Sequence, residues 1–144
     1  MAKNEVAVKE KGITSYLAIP EVRESIINAI GKDHVDAFVS DVVACVQNNS
    51  DLAACTNKSI FSAALLSKSI NLPLTPQLGY CYLVPYNNKK NENGKTVYVK
   101  EATFQMGWKG YVQLALRSNY YRKLIATDVR KGEIVNYDPF NDDL

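Results

Sequence analysis

Apolar positions recur with two different periods along this chain, and the change from one to the other divides it. From residue 16 to about residue 70 the spacing is helical. Ile19-Pro20-Glu21 through Gly31 has Pro in its first turn, apolar Val22, Ile26, Ile27 and Ile30, and Gly just past the end, which predicts a short helix. After Asp33, read as an N-cap, Val35, Phe38, Val39, Val42 and Val46 repeat at three- and four-residue steps and predict a second helix ending near Asn48-Asn49. A third is expected from about Asn57 to Ile70, capped by Thr56 or Asn57, with small residues Ser62, Ala63 and Ala64 that permit close packing. Residues 1–15 read as a flexible arm ahead of a single domain over 16–144.

Leu72-Pro73-Leu74-Thr75-Pro76 cannot extend that third helix, because each proline lacks an N–H and biases its predecessor toward extended geometry. The period then becomes two. Gly79 to Tyr86 alternates, with Tyr80, Tyr82, Val84 and Tyr86 on one face and Cys81, Leu83 and Pro85 on the other. Residues 87–95 are polar and contain Asn93-Gly94, a two-residue hairpin signal, and residues 95–106 return as a second strand. If that turn sets the register, Tyr82 faces Gln105 and Tyr86 faces Glu101, and Lys89, Lys90 and Lys95 project at the tip. A helix over 107–118 follows, then a third strand over Tyr121 to Arg130 containing Leu124, Ile125, Ala126 and Val129. Helices segregated from an antiparallel sheet make the fold class α+β.

Composition sharpens this in one respect. The 144 residues are 47% hydrophobic and 22% charged, enough for a real core. The net charge of +2 conceals segregation: residues 89–131 carry ten Lys/Arg against Glu92, Glu101 and Asp128, a net of +7, while seven cations and twelve acids leave −5 elsewhere. A local anion-binding surface is implied. Cys45, Cys55 and Cys81 are odd in number and fit no metal spacing, so they read as reduced thiols of a cytosolic protein. No apolar run approaches the ~18 residues of a membrane span.

Enzyme motifs of the phosphate-loop, nucleophile-elbow and zinc-helix kinds are absent, and His34 is the one histidine. Asp128, Glu133, Asp138, Asp142 and Asp143 are the carboxylates available for a metal, and they read as solvated loop charges. The helix after Gly107 is more informative. At 100° per residue Trp108, Tyr111, Val112 and Ala115 share one arc, expected to pack with Trp108 as an anchor, while Lys109, Gln113, Leu116 and Arg117 lie opposite. The ordinary reading is an amphipathic helix with solvated cations; Lys100, Arg122 and Lys123 in the flanking elements favour DNA instead. Nine tyrosines raise a parallel choice. Tyr80, Tyr82 and Tyr86 suit a half-buried sheet face, or they stack on bases at about 1–3 kcal/mol each.

Two stretches carry a family likeness. Leu72-Pro73-Leu74-Thr75-Pro76-Gln77-Leu78-Gly79-Tyr80-Cys81-Tyr82-Leu83-Val84-Pro85-Tyr86 and Phe104-Gln105-Met106-Gly107-Trp108-Lys109-Gly110-Tyr111, with Ala115 and Arg117-Ser118, resemble the RecT/Redβ class of phage and prophage single-strand annealing proteins, most closely its RecT branch. The likeness covers about Asn57 to Tyr137. It implies an ATP-independent, non-enzymatic recombination protein of the bacterial cytoplasm that binds single-stranded DNA, anneals it to duplex and assembles as a homo-oligomeric ring or helical filament. It implies no bound cofactor, with Mg²⁺ as a modulator of annealing, and partners such as a phage exonuclease and a host single-strand-binding protein reached through a C-terminal region beyond this chain, which reads as truncated. The implied DNA contacts are Gln105, Lys109, Arg117 and the hairpin cations Lys89 and Lys90, joined by Gln113, Lys100, Arg122, Lys123, Tyr82 and Tyr86. Three positions depart from the family pattern: Trp108 where Tyr is commoner, Leu116 where Arg is frequent, and Asn119 where Gly is usual. The rival reading is a protein-interaction module of a phage recombination system, and a metal-dependent nuclease is a weaker third.

Overall fold

The computed structural model of the chain describes residues 12–92, 94–124, 128 and 130–132. It divides into two compact units, Met1–Gln113 and Leu114–Leu144. The first contains α1 (Ile13–Leu17), α2 (Pro20–Ile30), a 3₁₀ turn (Lys32–His34), α3 (Val35–Gln47), α4 (Ser50–Ala53), α5 (Asn57–Ser69), a second 3₁₀ turn (Pro76–Leu78), β1 (Cys81–Glu92), β2 (Lys95–Met106) and the first turns of α6 (Trp108–Arg117). Helices with one antiparallel strand pair make the fold α+β.

The helical spacing is cashed in as a shared core. Leu17, Ile26, Val35, Phe38, Val42, Ile60 and Leu72 are almost wholly removed from water, and each large one contributes about 1.5–3 kcal/mol. Ile13 and Leu17 bury on this core, so a helix begins inside the stretch read as an arm. Asp33 does not cap α3: it sits in the 3₁₀ turn, and His34 occupies the cap position without a side-chain bond. Asn49, read as a helix end, caps α4 by accepting from the N–H groups of Asp51 and Leu52.

Helix α5 starts at Thr56, whose hydroxyl accepts from the Ser59 N–H at 3.4 Å. It ends with Asn71 in the left-handed region (φ 51°), the Leu72 N–H donating to Ser67 C=O at 2.8 Å and the Asn71 N–H to Lys68 C=O at 2.9 Å. This paired closure satisfies carbonyls that a helix end otherwise leaves open. The proline-bearing segment that follows is held by two buried thiols: Cys45 donates to Leu74 C=O at 3.1 Å and Cys81 to Pro73 C=O at 3.4 Å. Burial pushes both thiols up from their ordinary pKa, with Asp41 adding to the effect at Cys45.

The hairpin has the expected register, with Tyr82 opposite Gln105 and Tyr86 opposite Glu101. Its strands run further than the apolar pattern indicates, because Asn87–Glu92 pair through backbone groups whatever their side chains. Helix α5 closes the outer edge of β2 near its root: the Thr56 N–H donates to Lys100 C=O at 3.0 Å and the Ala102 N–H to Ser59 Oγ at 2.9 Å. Cys81, Leu83 and Ala102 face the core.

In the second unit, Ser118 N–H donates to Leu114 C=O and Asn119 adopts φ 61°. Asn tolerates that left-handed geometry better than most residues, so the turn survives without the glycine usual in the family. Residues 121–124 form no strand; Ile125, Ala126 and Val129 of the expected third strand lie outside the described residues. Among the described residues the sheet is two-stranded, and no helix is long and apolar enough to cross a membrane.

Candidate nucleic-acid interface

Three glycines set the geometry of the hairpin root. Gly79 takes φ 72°, a left-handed conformation that costs a side-chain-bearing residue about 1–2 kcal/mol, and turns the chain from Pro76–Leu78 into β1. The Gly107 N–H donates to Tyr80 C=O at 2.9 Å, which carries the end of β2 across the start of β1. A Cβ on Gly107 would strike the Gly79 carbonyl and lie 3.1 Å from the Tyr82 ring; one on Gly110 would strike the Tyr80 carbonyl and lie 2.9 Å from Met106 Cγ and 3.2 Å from Leu72 Cδ1. The first turn of α6 therefore lies directly on the Gly79–Tyr80 backbone that leads into β1.

This corrects the aromatic half of the expected packing face: Gly110 is the buried residue of the helix, Trp108 is 70% and Tyr111 63% exposed and Val112 and Ala115 are half-buried, while Lys109 and Arg117 are exposed as expected. Trp108 does not anchor the helix. A hydrophobic count overlooks glycine because glycine has no side chain to score, yet glycine permits the closest backbone approach. Turning the glycines inward turns the aromatics out.

The same seam brings Lys109, Trp108 and Tyr82 together. The Lys109 stem passes within 3.5 Å of where a Gly79 Cβ would be, with the Tyr82 hydroxyl 3.2 Å from that point. Lys109 Nζ stands 5.7 Å from the centre of the Trp108 ring, within range of a cation–π contact. Tyr82 and Tyr86 are exposed, on the face opposite Cys81 and Leu83. The Gln105 amide donates to the Tyr86 hydroxyl at 2.7 Å, extending this face by one polar pair.

Other expected contacts are placed differently. Lys100 is ion-paired with Asp51 at 2.7 Å, tying β2 to α4, and its hydrogen bond holds the Asp51 carboxyl below the usual carboxylate range. Lys90 and Asn88 both donate to Glu101, and those bonds, from Asn88 first, lower the Glu101 pKa. Lys89 is exposed further along the hairpin, the Lys95 side chain lies outside the described residues, and Gln113 is half-buried. Arg117, Arg122 and Lys123 belong to the second unit, where all three are exposed. Of the carboxylates weighed for a metal, Asp128 is exposed and the others lie outside the described residues. Among the described residues no three His, Cys, Asp or Glu side chains stand close enough to share an ion.

Sequence reasoning missed the exposed Trp108, Tyr111 and Tyr98. The available signal was the glycine pair at three-residue spacing, which marks one helix face for backbone contact and so assigns Trp108 to the other. What the face offers is a cation flanked by aromatic rings, a combination suited to a phosphate with unstacked bases beside it.

The chain is 28% identical over 141 residues to the uncharacterized protein YqaK of Bacillus subtilis (strain 168), covering 96% of this chain and 45% of that protein. It is 27% identical over 134 residues to Protein RecT of Escherichia coli (strain K12), covering 92% of this chain and 48% of that one. The chain thus spans less than half the length of either relative. Residues 36–142 match the RecT family, a span reaching from the start of α3 past the end of α6, and the chain belongs to that family.

Proposed function

We propose that the chain binds single-stranded DNA along the Tyr82–Tyr86 face of the hairpin and the outward side of α6, and promotes annealing of complementary strands as a homo-oligomer in the bacterial cytoplasm. The observation that carries this reading is the seating of Lys109 between Trp108 and Tyr82 on a glycine-packed backbone. A fixed backbone preorganises the cation and rings, so little ordering entropy is lost when a strand binds. Lys109 holds a phosphate and releases its counterions; the rings accept base faces without reading sequence. Annealing makes no covalent bond, so positioning and charge neutralisation suffice and no nucleotide hydrolysis is required. Mg²⁺ screens the repulsion between the two strands.

The deciding experiment follows duplex formation between complementary oligonucleotides carrying a donor and acceptor dye, without ATP. Faster pairing with the chain than without it, together with light scattering that grows when both strands are added, supports the proposal. Unchanged pairing and no oligonucleotide binding refute it. Exposed Val97 and Tyr98 on the distal hairpin favour a second role for that end, as a contact for another protein of the recombination system. Tyr98→Ala would then abolish partner capture while leaving DNA affinity unchanged.

A further inference from the structure

A cleft of 480 Å³ opens beside Tyr82, bounded by the C-terminal part of α3, the start of α4 and the Leu74–Gln77 segment. Its floor is apolar, formed by the buried Leu52, Leu74 and Leu83. Its rim is amide-rich. Asn49 Oδ1 is committed to the N–H groups of Asp51 and Leu52, and Asn48 Nδ2 to the Ala44 carbonyl, which leaves the other half of each amide open to a ligand, together with the exposed Gln77 carboxamide.

Charge narrows the ligand class. None of the lining residues is Lys or Arg, and the one charged member, Asp41, is negative and ion-paired with Lys68 at 3.3 Å. Such a lining offers no cation to a phosphate. It fits a neutral, flat group with apolar faces and hydrogen-bonding edges, and its volume is in the range of small-molecule sites. Tyr82 supplies the connection, since it lines the cleft and its hydroxyl also approaches the Gly79 position where the Lys109 stem packs. A phosphate at Lys109 would have its base beside Tyr82 at the cleft mouth.

We propose that this cleft takes one unstacked nucleobase of the strand whose phosphate sits at Lys109. The proposal rests on the single-stranded DNA reading of the hairpin root and adds an occupant to it. Extracting a base costs little from a strand that is already single. A base held here cannot pair until it leaves, so the cleft favours the unpaired strand over the finished duplex and fixes one nucleotide position for each subunit.

The test uses a mixed-sequence single strand and a matched strand whose nucleotides are abasic. Ala44 lines the cleft from an exposed position on α3, so Ala44→Phe fills the space without altering charge. Loss of the stacking and burial of one base should make Ala44→Phe bind the mixed strand about tenfold more weakly and leave binding of the abasic strand unchanged. Gln77→Ala, which adds no bulk, should weaken the mixed strand in the same direction by about threefold, the scale of one hydrogen bond. Circular dichroism confirms that each variant is folded, and Gln77→Ala decides the matter should Ala44→Phe unfold. Wild-type affinity for the mixed strand in both variants overturns the proposal, as does an equal loss on both strands in Ala44→Phe. A wild-type chain that binds neither strand overturns the interface reading and the cleft's occupant with it, a result distinct from the others.

Discussion

Gly110→Ala puts the glycine seam to a test in which two physical effects have opposite signs. Within a helix, Ala is favoured over Gly by about 1 kcal/mol, so propensity alone predicts a more stable protein. The structure predicts the reverse. The added methyl would meet the Tyr80 carbonyl well inside van der Waals contact, with Met106 Cγ at 2.9 Å and Leu72 Cδ1 at 3.2 Å closing the other directions. Met106 can rotate away; the Tyr80 backbone carbonyl, held by the Gly107 N–H immediately before β1, cannot, so α6 must lift by roughly 1 Å. Overpacking of this kind costs about 1–3 kcal/mol, and the upper end applies where the obstacle is backbone. Subtracting the propensity gain leaves about 1–2 kcal/mol of net destabilisation, a fall in Tm of about 3–7 °C. Lifting the helix also carries Lys109 and Trp108 away from Tyr82, so affinity for single-stranded DNA should drop by more than the stability loss explains at temperatures where the variant is fully folded. Thermal denaturation by circular dichroism reads the first effect and fluorescence anisotropy with a labelled oligonucleotide the second. A Tm equal to or above wild type would refute the close backbone contact and the orientation of α6 derived from it.

Two further outcomes follow from the same structure. Trp108 is the one tryptophan and is largely exposed, so oligonucleotide should quench its fluorescence, and Trp108→Ala should weaken binding by about 1–3 kcal/mol while leaving Tm nearly unchanged; a buried-type, unquenched emission would contradict this. The Lys100 hydrogen bond lowers the Asp51 pKa in the folded state, so this tie between α4 and β2 stabilises the fold above the unfolded carboxylate pKa and loses its contribution as pH falls through the lower, folded value. Urea denaturation of Asp51→Asn should accordingly show less acid sensitivity than wild type, and identical pH profiles would refute the linkage.

Much of this architecture is legible in the chain because it rests on periodicity and turn chemistry. The valines and Phe38 repeat at helical spacing and form α3; Asn93-Gly94 fixes the hairpin register, and once Tyr82 is set opposite Gln105 every other pair follows. What was not legible arises from backbone contact. The length of β1 depends on ladder bonds that Asn87–Glu92 make regardless of polarity. Helix α4 consists of four residues closed by the Asn49 cap, too short for any period to register. The orientation of α6 is set by Gly107 and Gly110, which carry no hydrophobic signal, so weighing side chains alone placed Trp108 inside. Nor does a charge count show that Lys100 and Lys90 meet Asp51 and Glu101, which are brought to them only by folding.

Lys109, set beside Trp108 and Tyr82, is the residue proposed to receive a phosphate of single-stranded DNA. Its most direct test is the salt dependence of oligonucleotide affinity in wild type and Lys109→Ala. Log affinity should fall linearly with log salt in both, with the variant's slope shallower by about 0.7, one released counterion on a single strand. Identical affinity and slope in the two proteins would contradict it.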